Sequence, residues 1–216
     1  NALGFYATQN RMVTREDYVI RALSMPARFG TVQKAFVASD EQMLSEELSV
    51  ANPLAVNLYV LGYDNNRNLA TLPSAAKENL RTYLSQYRMI TDAINIKDGY
   101  IVNIGIDFEI TVLPGHNSNA VLLRCIDSLS EKYAIENLSF SSALYMKDIY
   151  MCIANIEGVQ SVTDVEVTNL SGGDYSEHRY NIDEATYKDV IYPSLDPSVF
   201  EIKYPTRDIK GKVTTY

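Results

Sequence analysis

Residues 100–112 read YIVNIGIDFEITV. Val102, Ile104, Ile106, Phe108, Ile110 and Val112 alternate with Asn103, Gly105, Asp107, Glu109 and Thr111. Successive side chains of a β-strand point to opposite faces, so this period of two predicts a strand with one face in the core and the other in water. The apolar face needs a second layer to cover it, and the residues that follow supply one. Pro114-Gly115 ends the strand, and Asn117 or Ser118 can cap a helix whose stripe is Leu122, Cys125, Ile126, Leu129 and Tyr133. Ser142 can cap a second helix with the stripe Tyr145, Ile149, Cys152, Ile153 and Ile156, and Gly158 stops it where a left-handed residue is needed. Val162, Val165 and Val167 then return as a strand, so 100–168 reads strand, helix, helix, strand.

Upstream, Thr14 stands three residues before Asp17, the spacing of a reciprocal cap, and predicts a helix running to about Met25. Pro26 turns the chain into an extended stretch over 32–38. Val56, Leu58 and Val60 alternate with Asn57, Tyr59 and Leu61 in a mostly buried strand, with 64–66 as its turn. Pro73 and Ser74 open a helix that gathers Ala76, Leu80, Tyr83, Leu84 and Tyr87 on one side. Beyond the turn at 171–174 regular periodicity fades, and Pro193, Pro197 and Pro205 punctuate the rest. The expected fold is α+β, with small mixed sheets each covered by helices on one face and an extended C-terminal arm. The expected division is a first α/β domain at 1–98, a strand-helix-helix-strand domain at 99–169 and an extended arm with short strands at 170–216.

Of the 216 residues 46% are apolar and 21% charged, average values for a folding chain. Twenty-seven acidic against 19 basic residues give a net charge of -8, which disfavours nucleic acid and anionic membrane as partners. No apolar run approaches the roughly 18 residues of a membrane span. The start lacks the basic and apolar regions of a signal peptide, and Asn1 in place of Met leads us to expect a piece of a longer chain. Cys125 and Cys152, the two cysteines, both fall within apolar helical patterns, which points to free thiols and a reducing, cytoplasmic origin.

Candidate chemistry is sparse. His116 precedes Cys125 by nine residues, but a nucleophilic thiolate must be exposed and paired, and Cys125 lies on a buried stripe. His178 stands among charged residues, and two histidines with two scattered cysteines do not make a structural zinc site. Asp64, Asn66 and Asn68 have the opening spacing of a calcium loop, yet Leu69 and Ala75 stand where its glycine and glutamate belong. Asp107 and Glu109 share a strand face about 7 Å apart, within glycosidase range, but an exposed pair lacks the desolvation that raises one carboxyl's pKa. Gly172-Gly173 has no following Lys to make a phosphate loop. We therefore assign no catalytic, cofactor or metal residues.

Tyrosine outnumbers phenylalanine by 16 to 6, and Tyr175, Tyr180, Tyr187, Tyr192, Tyr204 and Tyr216 fall in the last fifth. Tyrosine buries area at an interface while its hydroxyl stays wet or bonded. Val190, Ile191, Tyr192, Leu195, Phe200, Ile202 and Tyr204 lack the spacing to fill one helix stripe or sheet face. Either they pack on their own domain or they cover a neighbour, and Tyr192, Phe200 and Tyr204 are the expected interaction anchors.

Residues 11–18, RMVTREDY, resemble the R-x-V-T-x-x-D-Y helix start of phage baseplate J-like proteins. The succession of an apolar strand like Ala55–Tyr63, a helix ending near YRMITD at 87–92, a long alternating strand and a Gly-Val turn at 158–159 is similar to that family over about residues 10 to 168. The stretches YPSLDP at 192–197 and DIKG at 208–211 resemble the close of wedge proteins within it. The resemblance implies a non-enzymatic structural subunit of a virion tail baseplate, assembled in the host cytoplasm. It further implies pairing with itself, contact with other baseplate wedge proteins, joining of wedges into a six-fold ring around the tail tube, and rearrangement on sheath contraction. Two other classes remain open. A carbohydrate- or receptor-binding tail module would show exposed aromatic platforms, against which the lack of Trp counts. A tail-associated hydrolase would need a cleft with perturbed carboxylates or a nucleophile pair.

Overall fold

In the computed structural model, residues 11–39, 55–89 and 93–214 are described. The fold is α+β, built from small mixed sheets with helices, as the alternating and helical periods imply. It divides into two compact units, one comprising the chain through Tyr100 with Leu195–Pro197, the other Ile101–Ser194 with Ser198–Tyr216.

The first unit opens with α1 (Arg15–Leu23). Its reciprocal cap forms as the sequence requires: the Asp17 N–H donates to Thr14 Oγ1 at 3.3 Å, and the Thr14 N–H donates to Asp17 Oδ2 at 2.8 Å. Partial burial works against the Asp17 carboxylate, but bonds from the Thr14 and Val13 amides prevail and hold its pKa below the ordinary value. The helix stops at Leu23, short of Pro26, whose ring disfavours helical backbone before it, and the Ser24 hydroxyl donates to the Ile20 carbonyl at 2.6 Å at this end. β1 (Lys34–Ser39) then pairs antiparallel with the central strand β2 (Ala55–Tyr63). A tight hairpin leads from β2 to β3 (Leu69–Ala70). Its turn is knotted by Asp64 Oδ1, which accepts from the Asn66 and Asn68 amides at 2.8 Å each, so the would-be calcium carboxylate is occupied by its own backbone.

α2 (Ser74–Ser85) and β4 (Ala93–Asp98) complete the unit. β4 runs parallel to β2, pairing Val56 with Ile94 and Leu58 with Ile96. It is absent from the sequence reading above, although Ile94 and Ile96 alternate with Asn95 and Lys97; six residues bounded by a helix end and Asp98-Gly99 give a weak signal. Val37, Leu58 and Val60 pack with Tyr18, Ala22, Leu80 and Leu84 in one core between sheet and helices. Asn57, Tyr59 and Leu61 on the other face of β2 are also buried, matching the mostly buried strand expected there.

The second unit is organised around β5 (Tyr100–Val112), which bonds to β7 (Val159–Leu170), β10 (Ser198–Glu201) and β11 (Ile209–Val213). β7 is antiparallel to β5, with Asp107 opposite Glu166 and Glu109 opposite Asp164, and two register shifts toward its start. β11 is parallel to β5 and pairs Ile209 with Ile106, Gly211 with Phe108 and Val213 with Ile110. The connecting helices α3 (Ser118–Lys132) and α4 (Met146–Ala154) lie on the apolar face, α3 against β11 and α4 against β7. Asn117 caps α3, as expected. Ser142 does not cap α4, which starts after a two-residue strand β6 (Leu144–Tyr145) that takes Tyr145 out of the helix and onto the surface.

The segment expected as an extended arm does carry short strands, and they belong to this unit's own sheets. α5 (Ile182–Ala185) is followed by the hairpin β8 (Thr186–Tyr187) and β9 (Val190–Ile191), and β9 also pairs β6. α6 (Pro205–Asp208) precedes β11. Ile191, Val199, Phe200, Ile202 and Ile209 are all buried. Strands of two to five residues are too short for a period of two to stand out, and that is why the segment reads as irregular.

Two glycines show how closely the layers meet. A Cβ on Gly211 would lie 2.5 Å from Phe108 Cζ and 3.1 Å from Leu122 Cγ, so the ring of Phe108 rests directly on the backbone of β11. Gly158 has φ +100°, and a Cβ there would lie 2.7 Å from Val121 Cγ2 and 3.0 Å from His116 Nδ1. Gly158→Ala is therefore expected to cost about 2 kcal/mol or more, read as a lower urea midpoint with an unchanged slope.

Candidate interaction surface

The N-terminal half of β5's polar face, expected to meet water, is covered by the C-terminal segment. Asn103 is buried there; its Nδ2 donates to Glu201 Oε2 at 2.8 Å, and its Oδ1 accepts from the Ser176 N–H at 2.7 Å. Asn169 on β7 bonds the Asn103 carbonyl at 3.0 Å and accepts the Tyr180 N–H at 3.0 Å. These residues satisfy one another, fasten 175–180 to the sheet and tie β10 to β5 within it.

The tyrosines divide into those used inside the unit and those left outside. Tyr175 donates its hydroxyl to the buried Asp208 Oδ1 at 2.5 Å and meets Tyr204 edge to face at 6.0 Å. Burial, then the bond to Asp208, raises the Tyr175 pKa. The Tyr204 N–H donates to Asp208 Oδ2 at 2.8 Å, and the Arg207 guanidinium lies over the rings of both Tyr175 and Tyr204, at 4.9 and 4.6 Å. Phe200 is 3% exposed and packs edge to face on Tyr180 at 5.9 Å. Of the three expected anchors, Phe200 thus fills the unit's own core and Tyr204 is half-buried in a local cluster, whereas Tyr192 is 49% exposed.

Tyr192 has company that the sequence reading missed. Tyr145 on β6 and Tyr187 on β8 both lie opposite Val190 on β9, so these two tyrosines flank Val190 across a small sheet, two residues before Tyr192. Tyr145 is 52% and Tyr187 62% exposed. Tyr145 was placed on a buried helical stripe above, and only the pairing of β6 with a strand some 45 residues later brings it here. The hairpin carrying Tyr187 turns through Lys188 and Asp189 with φ of 50° and 61°, left-handed values seldom met outside Gly, Asn and Asp, and the Asp189 carbonyl ties it to the Met146 N–H at 2.9 Å.

On the other half of the polar face an open groove is lined by Asp107, Glu109, Asp164, Glu166, Lys210 and Lys212. Register sets the charges in two rows, Glu166–Asp107–Lys210 and Asp164–Glu109–Lys212. Lys212 Nζ meets Glu109 Oε1 at 3.0 Å, and Thr214 Oγ1 donates to Glu109 Oε2 at 3.4 Å. Among the described residues Asp164 and Glu166 make no ion pair, and no group of three or more His, Cys, Asp or Glu could hold a metal. No helix of the described residues is long and apolar enough to cross a membrane.

The cysteines are free. Cys125 is buried beneath α3, and burial pushes its thiol up to about 11. His116 is exposed on the loop before the helix. At pH 8 the Cys125 thiolate is therefore scarcer than that of an ordinary thiol by about a hundredfold, and iodoacetamide should modify it correspondingly slowly, as peptide mass mapping would show. The raised folded pKa also means that stability contributed by the neutral thiol is complete below the unfolded value and is lost as pH rises toward 11.

No family model matches the chain, and no curated protein matches it. Among solved structures, a chain in the cryo-EM structure of the anti-feeding prophage (AFP) baseplate, 6-fold symmetrised, superposes on it with a TM-score of 0.54 at 12% identity. The match covers 97% of this chain and 39% of that one, so this chain spans about two fifths of the other's length and shares its fold.

Proposed function

We propose that the chain is a structural subunit of the tail baseplate of a contractile-tailed phage, of the baseplate J-like kind and closest in character to the wedge protein of T-even phages. The observation that carries this reading is a fold match over almost the whole chain to a protein of the AFP baseplate. The order of the helix start at 11–18, the strands and the Gly-Val turn at 158–159 in the sequence also supports it. In this reading the subunit resides in the virion tail, pairs with itself, meets other wedge proteins and joins wedges into a six-fold ring that rearranges on contraction. In this reading the subunit is structural rather than catalytic, and the Cys125 thiol, kept protonated by burial, is in keeping with that.

The exposed Tyr145 and Tyr187, with Tyr192 just past the strand between them, are the part of the chain best suited to subunit contact, because aromatic side chains dominate interface energetics when buried at a patch centre. Sedimentation should show a dimer or larger species at micromolar concentration. Tyr192→Ala together with Tyr187→Ala should weaken it by about tenfold or more without lowering the thermal midpoint. A strict monomer at the highest soluble concentration removes self-pairing from the proposal. Wedge joining is read by electron microscopy of the chain mixed with its neighbours; normal rings from the doubly substituted protein would remove the tyrosine contact.

A further inference from the structure

β7 is the outermost strand on its side of the second unit's sheet: among the described residues it pairs with β5 alone. Which of its backbone groups are free follows from β11. The Thr214 N–H donates to the Ile110 carbonyl at 2.9 Å, so even-numbered residues of this part of β5 bond toward β11 and Asp107 and Glu109 bond toward β7. Their partners Glu166 and Asp164 therefore bond inward, and Val165 and Val167 turn their N–H and carbonyl groups outward. The Val165 N–H is occupied by the neighbouring Asp164 Oδ1 at 3.0 Å, a bond that an incoming carbonyl can replace.

Both walls beside this edge have a definite character. On the polar face, Asp107 and Glu109 have Lys210 and Lys212 across from them on the β11 side, whereas among the described residues Glu166 and Asp164 have no strand beyond them on the other. On the helical face, Ile149 and Ile153 of α4 point at the sheet, and Cys152 faces α3, with its Sγ 3.2 Å from Ser128 Oγ. At 100° per residue, Tyr150 then projects on the side of α4 away from α3, beyond β7, and it is 44% exposed. Val165, whose side chain is on this helical face of β7, is only half-buried.

We infer that the outer edge of β7 accepts an extended segment of another protein as an added strand, one with Lys or Arg at two alternate positions and aliphatic residues between them. The basic residues would lie opposite Glu166 and Asp164, repeating on this side what Lys210 and Lys212 do on the other. The aliphatic residues would lie opposite Val165 and Val167, on the helical face where Tyr150 projects beyond β7. A second copy of the same edge is a poor occupant, because antiparallel pairing of two β7 strands sets Asp164 and Glu166 against the same acids. The inference stands apart from the baseplate reading, since it uses only the edge, its register and its charges.

The test uses fluorescein-labelled Thr-Val-Lys-Val-Lys-Val-Thr, the same peptide with Glu for both Lys, and a rearranged peptide with the two Lys adjacent. Anisotropy should show binding of the alternating Lys peptide alone. Asp164→Lys with Glu166→Lys, both exposed, should weaken that peptide by about tenfold or more and create binding of the Glu peptide. Amide exchange by NMR should slow at Val165 and Val167 when the Lys peptide binds. No binding at millimolar peptide, equal binding of the adjacent-Lys peptide, or indifference to the charge reversal would overturn the inference. So would slowing confined to another strand, or slowing at Val165 and Val167 in the peptide-free protein as its concentration rises, which would assign the edge to a second copy.

Discussion

A chain ending after Asp183 should lose the second unit's fold rather than merely a surface contact. The cut removes β9, β10 and β11, and with them the buried Ile191, Val199, Phe200, Ile202 and Ile209. At about 1.5 to 3 kcal/mol for each such side chain, the loss is as large as the entire net stability of an ordinary domain, about 5 to 15 kcal/mol. It also strips β5 of hydrogen-bonded neighbours and exposes the side of α3 that covers β11. Far-UV dichroism should show reduced ordered structure, and heating should give no cooperative transition for this unit. A truncated protein that keeps a native-like transition would mean that β5, α3, α4 and β7 suffice, as a closed strand-helix-helix-strand set would.

Phe200→Ala carries the second largest expected effect, a destabilisation of about 3 to 5 kcal/mol, because the ring is buried and its removal leaves a cavity beside Tyr180. The midpoint in urea should fall while any pairing of the surviving folded fraction stays unchanged. Tyr192→Ala should do the reverse, leaving stability within about 0.5 kcal/mol. If instead Phe200→Ala leaves stability intact and abolishes association, the residue is an interface anchor after all.

These two substitutions mark where the sequence could be read and where it could not. β5, β2 and the helices α1 to α4 announce themselves because their periods run for nine residues or more, and Thr14 and Asn117 mark starts by mechanisms that need no tertiary help, whereas α4 ends at Ala154, before the Gly158 expected to stop it. β4 is shorter and escaped. The C-terminal strands are shorter still, and their partners lie far away in the chain: β11 belongs beside β5 and β9 beside β6, facts of tertiary pairing that no local pattern carries. For the same reason Phe200 and Tyr192 look alike as sequence, two aromatics in a proline-punctuated stretch, and differ only once β10 is placed against β5. The polar side of β5 was misjudged over its first half, because Asn103 finds its partners in Glu201 and Ser176 rather than in water.

The parallel pairing of β11 with β5 also governs when the unit can form. Nearly the whole of that unit's sequence separates Ile106 from Ile209, and a contact of such separation is closed late, after the entropy of a long loop has been lost. During synthesis, the apolar strand Val102–Ile110 therefore emerges well before the strand that flanks it, and α3 must wait with its β11-facing side uncovered. The nascent chain is then most vulnerable to aggregation and proteolysis in that interval, and folding should be slow, multi-exponential and sensitive to chaperones, while the finished unit unfolds as a block. Emergence of β11, rather than of the central strand, is the event that lets the unit close.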